Sequence, residues 1–133
     1  MREQFVSFEI AQLMKQKGFV ESCFRYYCED GELSDYNYST DGECYDYTYG
    51  NKIDTAMSRT FYCSAPLWQQ AIDWLRDVKG VFIDLTLHDR ENTETWKYEI
   101  SEYGYYNMLA QENVYQSYYN TREIAIKKAL ELI

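Results

Sequence analysis

Residues 81–100 carry a pattern that leaves the fold little freedom. Val81, Ile83, Leu85 and Leu87 interleave with Phe82, Asp84, Thr86 and His88. After a polar stretch at 89–93, Trp96, Tyr98 and Ile100 interleave with Lys97 and Glu99. Successive strand side chains point to opposite faces, so a period of two on both arms predicts a hairpin with one buried face. That apolar face needs a cover, and the rest of the chain must supply it.

Three segments have the period of a helix instead. The first is predicted over 8–17, capped by Ser7, with Ile10, Leu13, Met14 and Lys17 on one face. Gly18 ends it by taking the left-handed backbone, and Phe19 folds back on the last turn. The second starts at Pro66, whose missing N–H is harmless in a first turn, and carries the stripe Leu67, Ala71, Trp74, Leu75 and Val78 before Gly80 closes it. The third runs over 118–132 behind Ser117, with Ala125, Ile126, Ala129, Leu130 and Ile133 as its apolar face.

Further strands are expected at 23–28, where Phe24, Tyr26 and Cys28 share a side, and at 59–63. Between them lies an acidic, tyrosine-rich segment with Asp41-Gly42, a favoured two-residue hairpin turn. Residues 103–115 read as either a short strand or an irregular loop. Hairpins with separated helices define an α+β class: an antiparallel sheet with about three helices packed mainly on one face, a two-layer sandwich. With 133 residues, one proline and six glycines, the chain is expected to form a single α+β domain over 1–133.

Thirteen basic residues against 22 acidic ones give a formal charge of −9, which opposes binding to nucleic-acid phosphates and to anionic lipid. Apolar runs fall far short of the roughly 20 residues that span a bilayer. Met1-Arg2-Glu3-Gln4, with Glu9 close behind, lacks the apolar stretch of about 7–15 residues of a secretory signal, so a cytoplasmic location is expected. The triplet Asn37-Tyr38-Ser39 then carries no glycan. Cys23, Cys28, Cys44 and Cys63 show no zinc or redox spacing, and reduced thiols without cofactor or metal are expected.

Catalytic constellations are weak. A triad would have to be built on His88, the one histidine, which reads as a solvent-facing residue at a turn. Asp84 and Glu99 can face the same side of the hairpin, but a glycosidase needs two carboxyls in a deep cleft, and Lys97 stands ready to balance them. Asp35, Asn37, Ser39, Asp41, Glu43 and Asp46 echo a calcium loop, which Thr40 in place of glycine and Asp46 in place of glutamate argue against. No phosphate-binding glycine loop occurs.

The tyrosines offer more. If Asp41-Gly42 forms its turn, Tyr38 pairs with Tyr45 and Tyr36 with Tyr47, so Tyr36, Tyr38, Tyr45, Tyr47 and Tyr49 line one face. Two uses are open to that row: covering the domain's own core, or presenting an exposed aromatic face to a partner.

Segments 7–19 (SFEIAQLMKQKGF), 64–76 (SAPLWQQAIDWLR) and 117–133 (SYYNTREIAIKKALELI) resemble small proteins of gut Bacteroides-type bacteria and of their phages and mobile elements, a group without established activity. The resemblance covers helix caps and apolar faces, and implies a cytoplasmic accessory protein. The leading expectation is a non-enzymatic interaction factor with a protein partner or self-association. The alternatives are an acidic mimic of nucleic acid occupying a nuclease or polymerase, and a small-molecule-binding module built on aromatic faces.

Overall fold

The computed structural model describes residues 4–34, 53–54, 59–102 and 107–133. It is α+β, with three helices and antiparallel strands among the described residues. The strands form two sheets, one in each of two compact units, residues 1–70 and 71–133. None of the described helices is long and apolar enough to cross a membrane.

In the first unit, α1 (Phe8–Gln16) starts where Ser7 Oγ accepts the Ile10 N–H at 3.3 Å. It ends as expected on Gly18, at φ +94°. The Phe19 N–H donates to the Met14 carbonyl and the Gly18 N–H to that of Lys15, the paired bonds of a left-handed helix stop. Phe19 is buried beside the end it closes.

β1 (Arg25–Cys28) lies antiparallel to β3 (Arg59–Ala65), which also pairs with the two-residue β2 (Ile53–Asp54). The expected one-sided alternation at 23–28 is replaced by burial of Tyr26, Tyr27 and Cys28 in succession, while Phe24 precedes the strand and is exposed. The physical reason is twofold. A register shift between Tyr27 and Cys28 breaks the alternation, and the Tyr27 hydroxyl donates to the Val6 carbonyl, which makes its second face an inside one.

Helix α1 packs on β3, where the Lys15 ammonium lies 4.6 Å from the centre of the Tyr62 ring and the Phe8 ring meets it edge-on. Helix α2 (Trp68–Lys79) begins two residues after Pro66, later than expected. The Pro66 carbonyl accepts the Val6 N–H at 2.9 Å, so Pro66 belongs to a backbone bridge instead of a first turn. Gln70 caps the helix by reaching back to the Leu67 N–H, and its amide also donates to the Ser22 carbonyl at 2.9 Å.

The boundary between the units falls inside α2, between Gln70 and Ala71. Beyond it Ala71, Trp74 and Leu75 are buried as the stripe requires, whereas Val78 is 59% exposed. The second unit continues with β4 (Val81–Asp89), β5 (Asn92–Glu102), β6 (Asn107–Val114) and α3 (Tyr118–Leu132). The strands pair antiparallel in the order β4-β5-β6.

Val81, Ile83, Leu85 and Leu87 stand opposite Glu102, Ile100, Tyr98 and Trp96, which puts the alternating apolar residues of both arms on one face. Helix α3 packs on β4 and β5. Its Ala125, Ile126, Ala129 and Leu130 are buried, together with Val81, Tyr98 and Ile100 of the strands. Ser117 Oγ accepts the Asn120 N–H at 3.2 Å and fixes where α3 begins.

Candidate interaction surface

The tyrosine row Tyr36, Tyr38, Tyr45, Tyr47 and Tyr49 lies outside the described residues, as do the Asp41-Gly42 turn, Cys44 and the calcium-loop echo. The other candidates can be placed. His88 is exposed near the end of β4 and borders an open groove of about 330 Å³ with Lys97, Gln111, Glu112 and Asn113. None of these neighbours is a nucleophile that an imidazole could activate.

Asp84 and Glu99 stand directly opposite one another across β4 and β5, and so share a face. Lys97 Nζ lies 2.8 Å from the Glu99 carboxylate, as a balancing charge should. All three are half-buried on a sheet face. Among the described residues no three His, Cys, Asp or Glu side chains gather as a metal site.

Cys23, Cys28 and Cys63 are buried and free of disulfides. Burial pushes the Cys63 thiol up to about 12, with the nearby Lys15 charge pulling weakly the other way. At neutral pH that sulfur is protonated and a poor nucleophile.

A different cluster forms where β6 hands over to α3. The chain leaves β6 at Val114, exposes Tyr115, and turns into the helix at Ser117. Tyr118 and Tyr119 occupy the first turn, and Arg122 follows three and four residues later, the spacing that stacks side chains on one helix face. The Arg122 guanidinium lies 5.6 Å from the Tyr118 ring centre and 5.3 Å from that of Tyr119. Tyr118 in turn meets Trp96 of β5 edge-on at 5.0 Å, which anchors the cluster to the sheet.

Burial pulls the Arg122 guanidinium below its ordinary value, partly offset by the Tyr118 hydroxyl. It remains a cation at any ordinary pH. Tyr115 and Tyr119 are 75% and 62% exposed. Over a floor of Trp96 and Tyr118 lies a layer made of the half-buried Arg122, held against the Tyr118 and Tyr119 rings, the exposed Tyr119, and the exposed Tyr115 of the segment that leads into the helix. Such a layer offers contact area, hydrogen bonds and charge at small entropic cost.

Sequence reasoning placed helix α3 but took only its apolar face. The signal for the cluster was present in the spacing of Tyr115, Tyr118, Tyr119 and Arg122. In comparison with known proteins, the chain matches no family model, no curated protein and no solved structure.

Proposed function

We propose that this chain is a non-enzymatic, cytoplasmic accessory factor that works by binding another protein, and that Tyr115, Tyr119 and Arg122 form the centre of its contact surface. The observation that carries this reading is the exposure of Tyr115 and Tyr119 on either side of the start of α3, with Tyr119 set against an arginine already held in place by ring contacts. Tyrosine and arginine are enriched among the residues that dominate interface energetics: tyrosine buries much surface with few rotatable bonds, and the ring contacts on Arg122 have already restricted its long side chain. The origin implied by the sequence resemblance, a phage or mobile element, fits a small factor directed at a host protein.

The test is affinity capture from host lysate with wild type and with Tyr115→Ser/Tyr119→Ser, both checked by thermal melting. A specific partner retained by wild type and lost by the variant, at unchanged melting temperature, supports the surface. Capture of the same partner by both chains refutes it.

A further inference from the structure

Strand β6 is the outer strand of its sheet and pairs only with β5 among the described residues. Asn107, Met108, Gln111, Glu112 and Asn113 are exposed. An outer strand presents a row of unpaired N–H and C=O groups, and folded proteins guard such rows with lysine, proline or a bulge. The sequence of β6, NMLAQENV, has no basic residue, no proline and a single charge, Glu112. One guard is present. The register shifts between Ile100 and Ser101, which leaves Leu109 as an extra residue and confines the regular stretch to 110–114.

The charge around this edge identifies what can dock there. Glu112 is exposed and accepts the Tyr98 hydroxyl at 2.9 Å. Burial pushes that hydroxyl up to about 12, with Glu112 and, more weakly, the Glu131 charge of α3 adding to it. At the other end of the strand the Asn107 amide donates to the exposed Glu102 at 3.0 Å. Among the described ion pairs none involves Glu102, Glu112 or Glu131. Lys97 stands opposite Asn113 but is held by Glu99, opposite Gln111, at 2.8 Å, and Arg122 stands beyond Val114 with Tyr118 and Tyr119, so the unbalanced carboxylates lie between Asn107 and Glu112. A second copy of a chain with a net charge of −9 is repelled by this edge, and a cationic strand is attracted to it.

Resting on the interaction reading above, we propose that the outer edge of β6 takes an extended, basic segment of the partner protein as a fourth strand of the sheet. Main-chain hydrogen bonds supply the affinity and the carboxylates select the sequence. From Asn107 to Glu112 is five residues, one of them the bulged Leu109, so a regular strand spans the same length with four. Four residues cover about 14 Å and return side chains to the same face. The docked segment therefore carries lysine or arginine about four residues apart, with strand-forming residues between them. Its far end reaches Tyr115, which joins the two surfaces.

The probe is a random library of displayed twelve-residue peptides selected on the full chain at low salt. The expected peptides are enriched in Lys or Arg four residues apart and perturb backbone amide resonances over 107–114. Their affinity falls as salt rises. Glu102→Gln/Glu112→Gln, which keeps the acceptor for Tyr98, weakens them by roughly threefold to tenfold, the scale of two exposed charge pairs.

Failure to recover a peptide overturns the proposal, as does recovery of peptides without basic enrichment. Self-association of the wild type through β6, seen by sedimentation, overturns it as well. Peptides that perturb only Tyr115 and Tyr119, and are lost in Tyr115→Ser/Tyr119→Ser alone, leave the tyrosine surface standing and remove the strand. Peptides that dock on β6 and ignore the tyrosine variant do the reverse.

Discussion

Replacing Ile100 by alanine tests the arrangement on which both proposed surfaces are built. Ile100 lies in the middle strand of its sheet, fully buried, with Ile83 opposite on β4 and Ala110 opposite on β6. The substitution deletes three carbons from water-free surroundings, worth about 0.8 kcal/mol each in transfer free energy. A cavity term adds to this, because Ala110 is too small to fill the space and Ile83 is held in its own strand. The expected loss is therefore about 3–4 kcal/mol, inside the range for aliphatic truncations in cores. Urea unfolding followed by tryptophan fluorescence and far-ultraviolet dichroism measures it. With a slope near 2 kcal/mol per molar, the midpoint falls by roughly 1.5–2 M. Ile100→Val, which removes one carbon, should cost about 1 kcal/mol. A loss below about 1 kcal/mol for the alanine variant would refute the packing described for this sheet, and with it the placement of β6 as the outer strand.

Two further outcomes follow from local features. Ser117→Ala removes the acceptor for the Asn120 N–H and should lower stability by about 1 kcal/mol in the same urea assay, while Ser117→Asp restores it; an unchanged midpoint would mean the cap is not formed. Cys63 should make the protein sensitive to alkali. Its folded pKa of about 12 lies above the ordinary 9.0, so the folded state holds its proton where the unfolded state has released it. The contribution is fully present below about pH 9 and is lost as pH rises towards 12, at up to about 1.4 kcal/mol per pH unit. Between pH 9 and 10.5 the unfolding midpoint of wild type should therefore fall faster than that of Cys63→Ala. Parallel pH profiles for the two would show that the thiol is not shielded.

The sequence by itself determined the features whose causes sit within one turn or one hairpin. Ser7 and Ser117 had to cap, because a side-chain oxygen three residues ahead of an N–H serves it whatever lies elsewhere. Gly18 had to end α1 because it adopts φ +94° without a Cβ to oppose it. The alternation over 81–100 fixed the pairing of β4 with β5, since a slip of one residue would turn Val81, Ile83, Tyr98 and Ile100 away from the core.

Tertiary structure decided whatever depends on a distant partner. Tyr27 is inside because Val6, far back in the chain, offers its carbonyl. Pro66 stands ahead of α2 because that same Val6 takes its carbonyl into a bridge. The division of strands between two sheets is likewise a matter of partners, as β3 pairs with β1 and β2 while β4, β5 and β6 pair among themselves. Residues 107–114 have no strong period of their own, and they became a strand because β5 offered one unpaired edge to receive them. That acquired strand then carries Glu112 to the Tyr98 hydroxyl and sets Tyr115 at the mouth of α3. Local composition could name the tyrosines and carboxylates of the surface, but only long-range pairing could bring them together.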